Sequence, residues 1–265
     1  MLKKRIIPVI LLRDGKIVQS RRFSRYNILG DPTPAVERIS SWSSDELIYL
    51  DITDRSSPYS VSIDFAPLID AISQKCSVPL TFGGGILSLE DAARRLKMGA
   101  DKISLNTAAI ESPELIKEIA NEFGSQCVVV SVDVKINNDG VYEVYRCGRI
   151  PTGWHPVDFV RTVQDLGAGE ILLNSVDRDG EGTGFDLTLI KQVVDVLSIP
   201  VIAMGGAGDW KHFAEVLENT NVSAVAAANI FQHRENSVYE CKDYLFKLEF
   251  PVRKPLPLSS ENLIL

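Results

Sequence analysis

The segments "TFGGGI" (Thr81 to Ile86) and "AMGGAG" (Ala203 to Gly208) decide the fold of this 265-residue chain. Each sets a glycine pair directly behind a short apolar run, and Gly83 and Gly205 stand 122 residues apart. "YLDIT" and "LLNSV" repeat at nearly the same interval, 123 residues from Leu50 to Leu173. A chain that repeats itself at about half its length is built from two similar halves. Around these anchors, short runs rich in Val, Ile and Leu recur at 5–11, 46–52, 78–82, 102–105, 127–133, 170–175, 199–204 and 223–227. Runs of this kind suit parallel strands buried on both faces. A helical pattern follows each, at 33–43, 68–76, 89–98, 113–123, 156–166, 187–197, 210–218 and 238–248. Ser112, Pro113 and Glu114 read as a helix start with a capping serine, and Gly99 and Gly124 read as stops. Eight βα units without a linker predict an α/β fold, a (β/α)8 TIM barrel of two half-barrels over 1–250, with a C-terminal tail over 251–265. A two-domain, doubly wound fold would want a composition break or a glycine-rich dinucleotide loop behind the first strand, and the sequence offers neither.

Composition narrows the function. The chain is 45% hydrophobic and 24% charged, an ordinary globular balance. No apolar run reaches the ~18 residues of a membrane helix. The start, "MLKKRIIPVI", is too short for a signal peptide, lacks a small-residue cleavage site and is interrupted by Arg13 and Asp14. It reads as a first strand, and the protein as cytoplasmic. Cys76, Cys127, Cys147 and Cys241 make no C-x-x-C pair, and His155, His212 and His233 make no ligand cluster. No metal and no cofactor are therefore expected. A net charge of −7 argues against nucleic acid held by phosphate neutralisation, and leaves a small phosphorylated ligand open.

Active sites of such barrels lie at the C-terminal ends of the strands. Asp51, Asn106, Asp133, Asn174, Ser175 and Asp177 fall at or just past those ends. Each alone reads equally well as a turn or cap residue, but together they suggest a polar rim. Asp133 follows an apolar strand and is the candidate general acid or base. The 122-residue repeat carries Asp133 back onto position 11, where Leu11 stands. Gly84 with Gly85, and Gly205 with Gly206, would let the backbone approach a phosphate at each end of a ligand. Two tight turns are the plain alternative. At the opposite rim Arg5, Glu46, Lys102 and Glu170 each open a strand. Spacing alone makes these ordinary solvated strand starts. Pointing inward, they would form a ring of two positive and two negative charges.

"KRII", "DELIYLDIT", "FGGGI", "ADKISLNTAAIESP", "FGSQCVVVSVD", "GAGEILLNSVDRDG" with "TGFD", and "GGAG" with "AANIF" together resemble the HisA/HisF family, on the side of the cyclase subunit of imidazole glycerol phosphate synthase. The match runs from Met1 to about Lys247. The resemblance implies a half-barrel repeat and a ribulosyl ribonucleotide substrate with two phosphates. It also implies ammonia that a glutaminase subunit, docked beneath the barrel, sends through the interior. Asp133 matches one of the family's two proton-transfer aspartates. The other falls on Leu11, which cannot transfer a proton, a role worth ~10²–10⁴ in rate. The implied phosphate-binding set is Gly84, Gly85, Asn106 and Thr107 at one end, and Asp177, Gly180, Gly205, Gly206 and Asn229 at the other. Gln19, Met204, Asn229 and Asn174 replace a lysine, two serines and a threonine of the family. Arg5, Glu46, Lys102 and Glu170 match its ammonia gate, and Asp101 matches a glutaminase-docking residue.

The entrance is thus kept while the chemical rim is altered. This points to a HisF-like subunit that channels ammonia from a HisH-like glutaminase to an ATP-dependent N-acetyl sugar amidotransferase in lipopolysaccharide or O-antigen synthesis. One alternative is a true cyclase of histidine biosynthesis, with Asp14 or Asp51 standing in for the missing acid. The other is a non-catalytic scaffold that activates a glutaminase.

Overall fold

In the computed structural model, which describes residues 2–55, 66–232 and 234–256, the first strand β1 (Arg5–Arg13) holds seven consecutive buried residues, Ile6 to Leu12. Such a run buries both faces of a strand only at the centre of a layered fold. The chain continues through β2 (Lys16–Arg21), β3 (Arg25–Gly30), α1 (Pro32–Ser41), β4 (Leu47–Asp51), α2 (Ala66–Lys75), β5 (Leu80–Gly83), α3 (Leu89–Lys97) and β6 (Lys102–Leu105). Next come α4 (Thr107–Glu111), α5 (Glu114–Phe123), β7 (Val128–Ile136), β8 (Tyr142–Arg146), β9 (Ile150–Pro151), α6 (Pro156–Asp165) and β10 (Glu170–Ser175). The last elements are α7 (Leu187–Val194), β11 (Val201–Met204), α8 (Trp210–Asn219), β12 (Ala224–Ala227) and α9 (Ser237–Lys247).

Eight of the strands run parallel in the order β1, β4, β5, β6, β7, β10, β11, β12, and β12 pairs with β1 to close a (β/α)8 barrel. Closure leaves no free strand edge in the barrel itself. Outward-facing residues such as Ile10, Leu12, Tyr49, Phe82, Val130, Leu173 and Val225 pack against the helices in one large core. A second, smaller cluster fills the barrel's interior. Among the described residues no helix is long and apolar enough to cross a membrane. His233 and the tail beyond residue 256 lie outside the described residues. The tail's first part packs beneath the barrel: the Lys4 N–H donates to the Pro251 carbonyl at 2.7 Å, and Val252 is fully buried.

All eight expected strands and their following helices are present, with ends displaced by a few residues. Gly99 and Gly124 close α3 and α5 at φ of 103° and 90°, in the left-handed region that suits glycine. Ser112 is a correction. Its side chain does not cap α5; Ser112 ends the short α4, and its carbonyl accepts the Leu115 N–H at 3.0 Å. The first strand also does not end at Leu11. It runs to Arg13 and turns through Asp14 and Gly15, both at positive φ, into the hairpin β2–β3. A second hairpin, β8–β9, rises from β7.

Candidate active site and lower gate

Side chains alternate across a strand, so every second residue of a barrel strand faces the interior. In β1 the interior series climbs from Arg5 through Ile7 and Val9 to Leu11. In β7 it ends Val129, Ser131, Asp133, and in β10 it runs Glu170, Leu172, Asn174. The packing agrees: Ile7, Val9, Leu11, Ile48, Val129, Leu172, Ile202, Met204, Ala224 and Ala226 form one interior cluster. The barrel therefore has a charged floor, an apolar middle and a polar mouth.

The floor is a closed ring. Arg5 donates to Glu46 at 2.6 Å and to Glu170, and Lys102 donates to both carboxylates at 3.0 Å. Burial alone would raise the Glu46 carboxyl, but Arg5 and Lys102 outweigh it and hold it below its usual value. Burial likewise opposes the Arg5 charge, and the two carboxylates reverse that effect. The strand starts are thus drawn inward and paired rather than solvated. Asp101, exposed at the same rim, accepts the Leu80 N–H at 2.8 Å and fastens β5 to β6.

At the mouth a cavity of about 560 Å³ opens. Asp133 lines it and is only 4% exposed. Its carboxylate accepts from the Asn106 amide at 3.3 Å and from the Asn174 amide at 3.4 Å, and Asn174 sits beside it in the β7–β10 register. Burial pushes the Asp133 carboxyl up to about 7; the Asn174 amide opposes this, and the charge of Asp179 adds to it. Such a group can take or give a proton near neutral pH. Leu11, 6% exposed, lines the same cavity with Met204 and Leu172. Its side chain points into the mouth, at the place the half-barrel repeat assigns it.

Three other carboxylates bear on that gap. Asp14, one of the two stand-ins considered above, does not line the cavity; it sits in the β1–β2 turn. Asp51 lines the cavity, but it is ion-paired with Arg55 and also accepts the Thr53 N–H at 3.0 Å. Asp179, which the sequence reading passed over, is buried and accepts from the Ser20 hydroxyl at 2.7 Å and the Phe23 N–H at 3.4 Å. Burial raises its carboxyl as well.

The two implied phosphate corners differ. Gly84, Gly85, Asn106 and Thr107 all line the cavity. Asn106 accepts the Cys147 N–H at 2.9 Å and donates to the Ser131 carbonyl at 2.9 Å, which fixes its amide. Asp177, Gly180, Gly205, Gly206 and Asn229 are not among the lining residues. The Asp177 carboxylate accepts the Ile136 N–H at 2.8 Å, and the Asn229 amide donates to the Ser20 carbonyl at 2.7 Å. A side chain at Gly206 would collide with the Gly184 carbonyl, so close backbone packing alone demands glycine there.

Arg55, Arg146 and Arg149 also line the cavity, and none of them stood out in the sequence. Arg149 joins three loops, donating to the Phe23 carbonyl at 3.4 Å, to Asp54 at 3.3 Å and to the Tyr26 hydroxyl at 3.1 Å. Among the described residues no group of three or more His, Cys, Asp or Glu side chains could hold a metal ion.

The family model "Histidine biosynthesis protein" matches residues 5–237. Imidazole glycerol phosphate synthase subunit HisF of Halalkalibacterium halodurans is 44% identical over 247 residues, covering 92% of this chain and 97% of its own. The HisF subunits of Lactococcus lactis subsp. cremoris and Exiguobacterium sp. are 43% and 42% identical, each covering 96% of this chain and 97% of its own. A barrel with a charged floor and an aspartate mouth, matched along nearly its whole length, is a HisF homologue, and the chain belongs to the histidine biosynthesis protein family.

Proposed function

We propose that this chain is the barrel subunit of a glutamine amidotransferase of the imidazole glycerol phosphate synthase type, working with a HisH-like glutaminase docked beneath it. The observation that carries this reading is the four-charge ring closing an apolar interior that ends at Asp133. Ammonia released under the floor would enter where Arg5, Glu46, Lys102 and Glu170 meet. Uncharged ammonia crosses an apolar layer at far less desolvation cost than ammonium. At the mouth Asp133 is poised to handle its proton.

The names of the relatives, imidazole glycerol phosphate synthase subunits, and of the matched histidine biosynthesis family support imidazole glycerol phosphate formation as the chemistry at the mouth, in preference to sugar amidation; the resemblance makes its substrate a bis-phosphorylated ribulosyl compound. Asp179 then supplies the only other buried, non-ion-paired carboxylate among the described lining residues. A second reading rests on one specific observation, the Leu11 side chain directed into the mouth. It favours a conduit that hands ammonia to a separate acceptor, an N-acetyl sugar bound by an ATP-dependent amidotransferase. Purified protein given the ribulosyl substrate and ammonium salt separates the two. Turnover at ordinary enzyme rates supports the cyclase and ends the conduit reading. Absence of turnover, with some gain in Leu11→Asp, supports the conduit.

A further inference from the structure

The first part of the C-terminal tail is built into the floor, next to the charged ring. Besides the hydrogen bond from the Lys4 N–H to the Pro251 carbonyl, Lys4 bridges Val252 in parallel. Further along, the Leu256 N–H donates to the Ser43 hydroxyl at 3.1 Å. Lys4 immediately precedes Arg5, and Ser43 lies three residues before Glu46. The tail therefore passes beneath the Arg5–Glu46 side of the ring, tied at both ends. Val252 and Pro255 are buried and fix its path. Buried Lys242 of α9 reinforces the seat, donating to the Ser43 carbonyl and to Asp45, each at 2.8 Å. Asp45 in turn accepts the Ile6 N–H at 2.9 Å, which joins the seat to β1.

What this anchored segment shows to solvent is apolar and basic. Leu256 is 73% exposed, and Leu2, on the segment that leads into Lys4, is 91% exposed. Phe246 and Leu248, at the end of α9 where the tail begins, are exposed as well. Lys3, Arg253 and Lys254 are exposed on the same segments. A single exposed leucine is ordinary on a protein surface. Several on anchored segments at one rim mark a contact surface. A backbone held in place beforehand also lowers the ordering cost of binding there.

We propose that the anchored tail, through Leu256 together with Leu2, is a docking ledge for the glutaminase subunit, which meets it with an apolar recess rimmed by carboxylates. A body that delivers ammonia to the ring has to lie flush against the floor, and the ledge borders the ring there. The inference rests on the reading that a glutaminase docks beneath the barrel, and it names a part of this chain that holds it.

Calorimetric titration of the cognate glutaminase with the full chain, and with single variants of it, tests the ledge. Leu256→Asp and Leu2→Asp should each weaken binding about tenfold or more, the loss of one buried leucine contact. Leu256→Ser, which adds no charge, should weaken it in the same direction. Ile28→Asp makes the same charge change at the opposite rim, on a side chain as exposed as Leu256, and should bind like the native chain. Thermal melting of each variant separates lost docking from lost folding. Native binding that the Leu2 and Leu256 variants leave intact overturns the ledge alone. So does a loss that Ile28→Asp shares, because that is long-range charge. A native chain that does not bind the glutaminase overturns the docking reading and the ledge with it. Sedimentation of the chain by itself supplies the last arm: a dimer that Leu256→Asp abolishes would assign the ledge to a second copy and overturn the proposal.

Discussion

Replacing Asp133 with asparagine should change how stability depends on pH. The carboxyl moves from 3.8 to about 7 on folding, and burial is the main cause. A carboxyl raised in the folded state binds a proton that the unfolded chain has already released. Its contribution therefore falls as pH climbs from about 4 to 7 and stays low above that. At ~1.4 kcal/mol per unit, the roughly three-unit rise costs the native protein up to about 4 kcal/mol at pH 8. Asparagine cannot ionise; Asp133 accepts the Asn106 and Asn174 amides on separate oxygens, so the single carbonyl of asparagine, like a protonated carboxyl, keeps an acceptor for one of them. Denaturant unfolding at a series of pH values, followed by tryptophan fluorescence, compares the two proteins. Near pH 4 they should agree within about 1 kcal/mol. By pH 8 the variant should be the more stable by roughly 2–4 kcal/mol. A difference that does not change with pH would show that Asp133 ionises in the fold as it does in water, and the reasoning about the mouth would fail.

Other substitutions probe the remaining layers. Tyr49 is fully buried and its hydroxyl has no hydrogen-bond partner among the described residues, so Tyr49→Phe should raise stability by up to about 1 kcal/mol in the same unfolding assay. Gly84→Ala sets a methyl group into the Asp51 carbonyl at φ of 101°, and should cost about 3 kcal/mol or more by chemical unfolding. Lys102→Ala leaves Glu46 and Glu170 sharing Arg5 alone, and should lower stability by about 2–4 kcal/mol. Adding Glu46→Gln to that variant should restore part of the loss; no restoration would speak against mutual pairing in the ring.

The barrel was legible because its eight strands are buried on both faces, so their residues are nearly all apolar and bounded by polar turns. The two hairpins were not. In β3 only intermediate and exposed residues occur, so no burial pattern marks it. The usable signal was the dipeptide Asp14-Gly15, both at positive φ, which suits a tight hairpin turn. Cys147-Gly148 is the same kind of turn between β8 and β9. Leu11 and Asp133 could be placed at the mouth because Asp133 ends an apolar strand and the 122-residue repeat carries it onto position 11. Arg55, Arg149 and Asp179 could not, because they sit in loops whose side-chain direction follows no period. Ser112 was misread because proline at a first turn also fits a serine that ends the preceding helix.

The proposed function requires that the floor of the barrel receive ammonia. Glutamine hydrolysis by the cognate glutaminase, measured alone, with this chain, and with its Glu46→Ala/Lys102→Ala variant, tests that most directly. The expected result is a co-purifying pair in which the barrel accelerates hydrolysis and the variant alters that acceleration. A glutaminase that neither binds this chain nor responds to it, with the double variant indistinguishable from the native barrel, would contradict it.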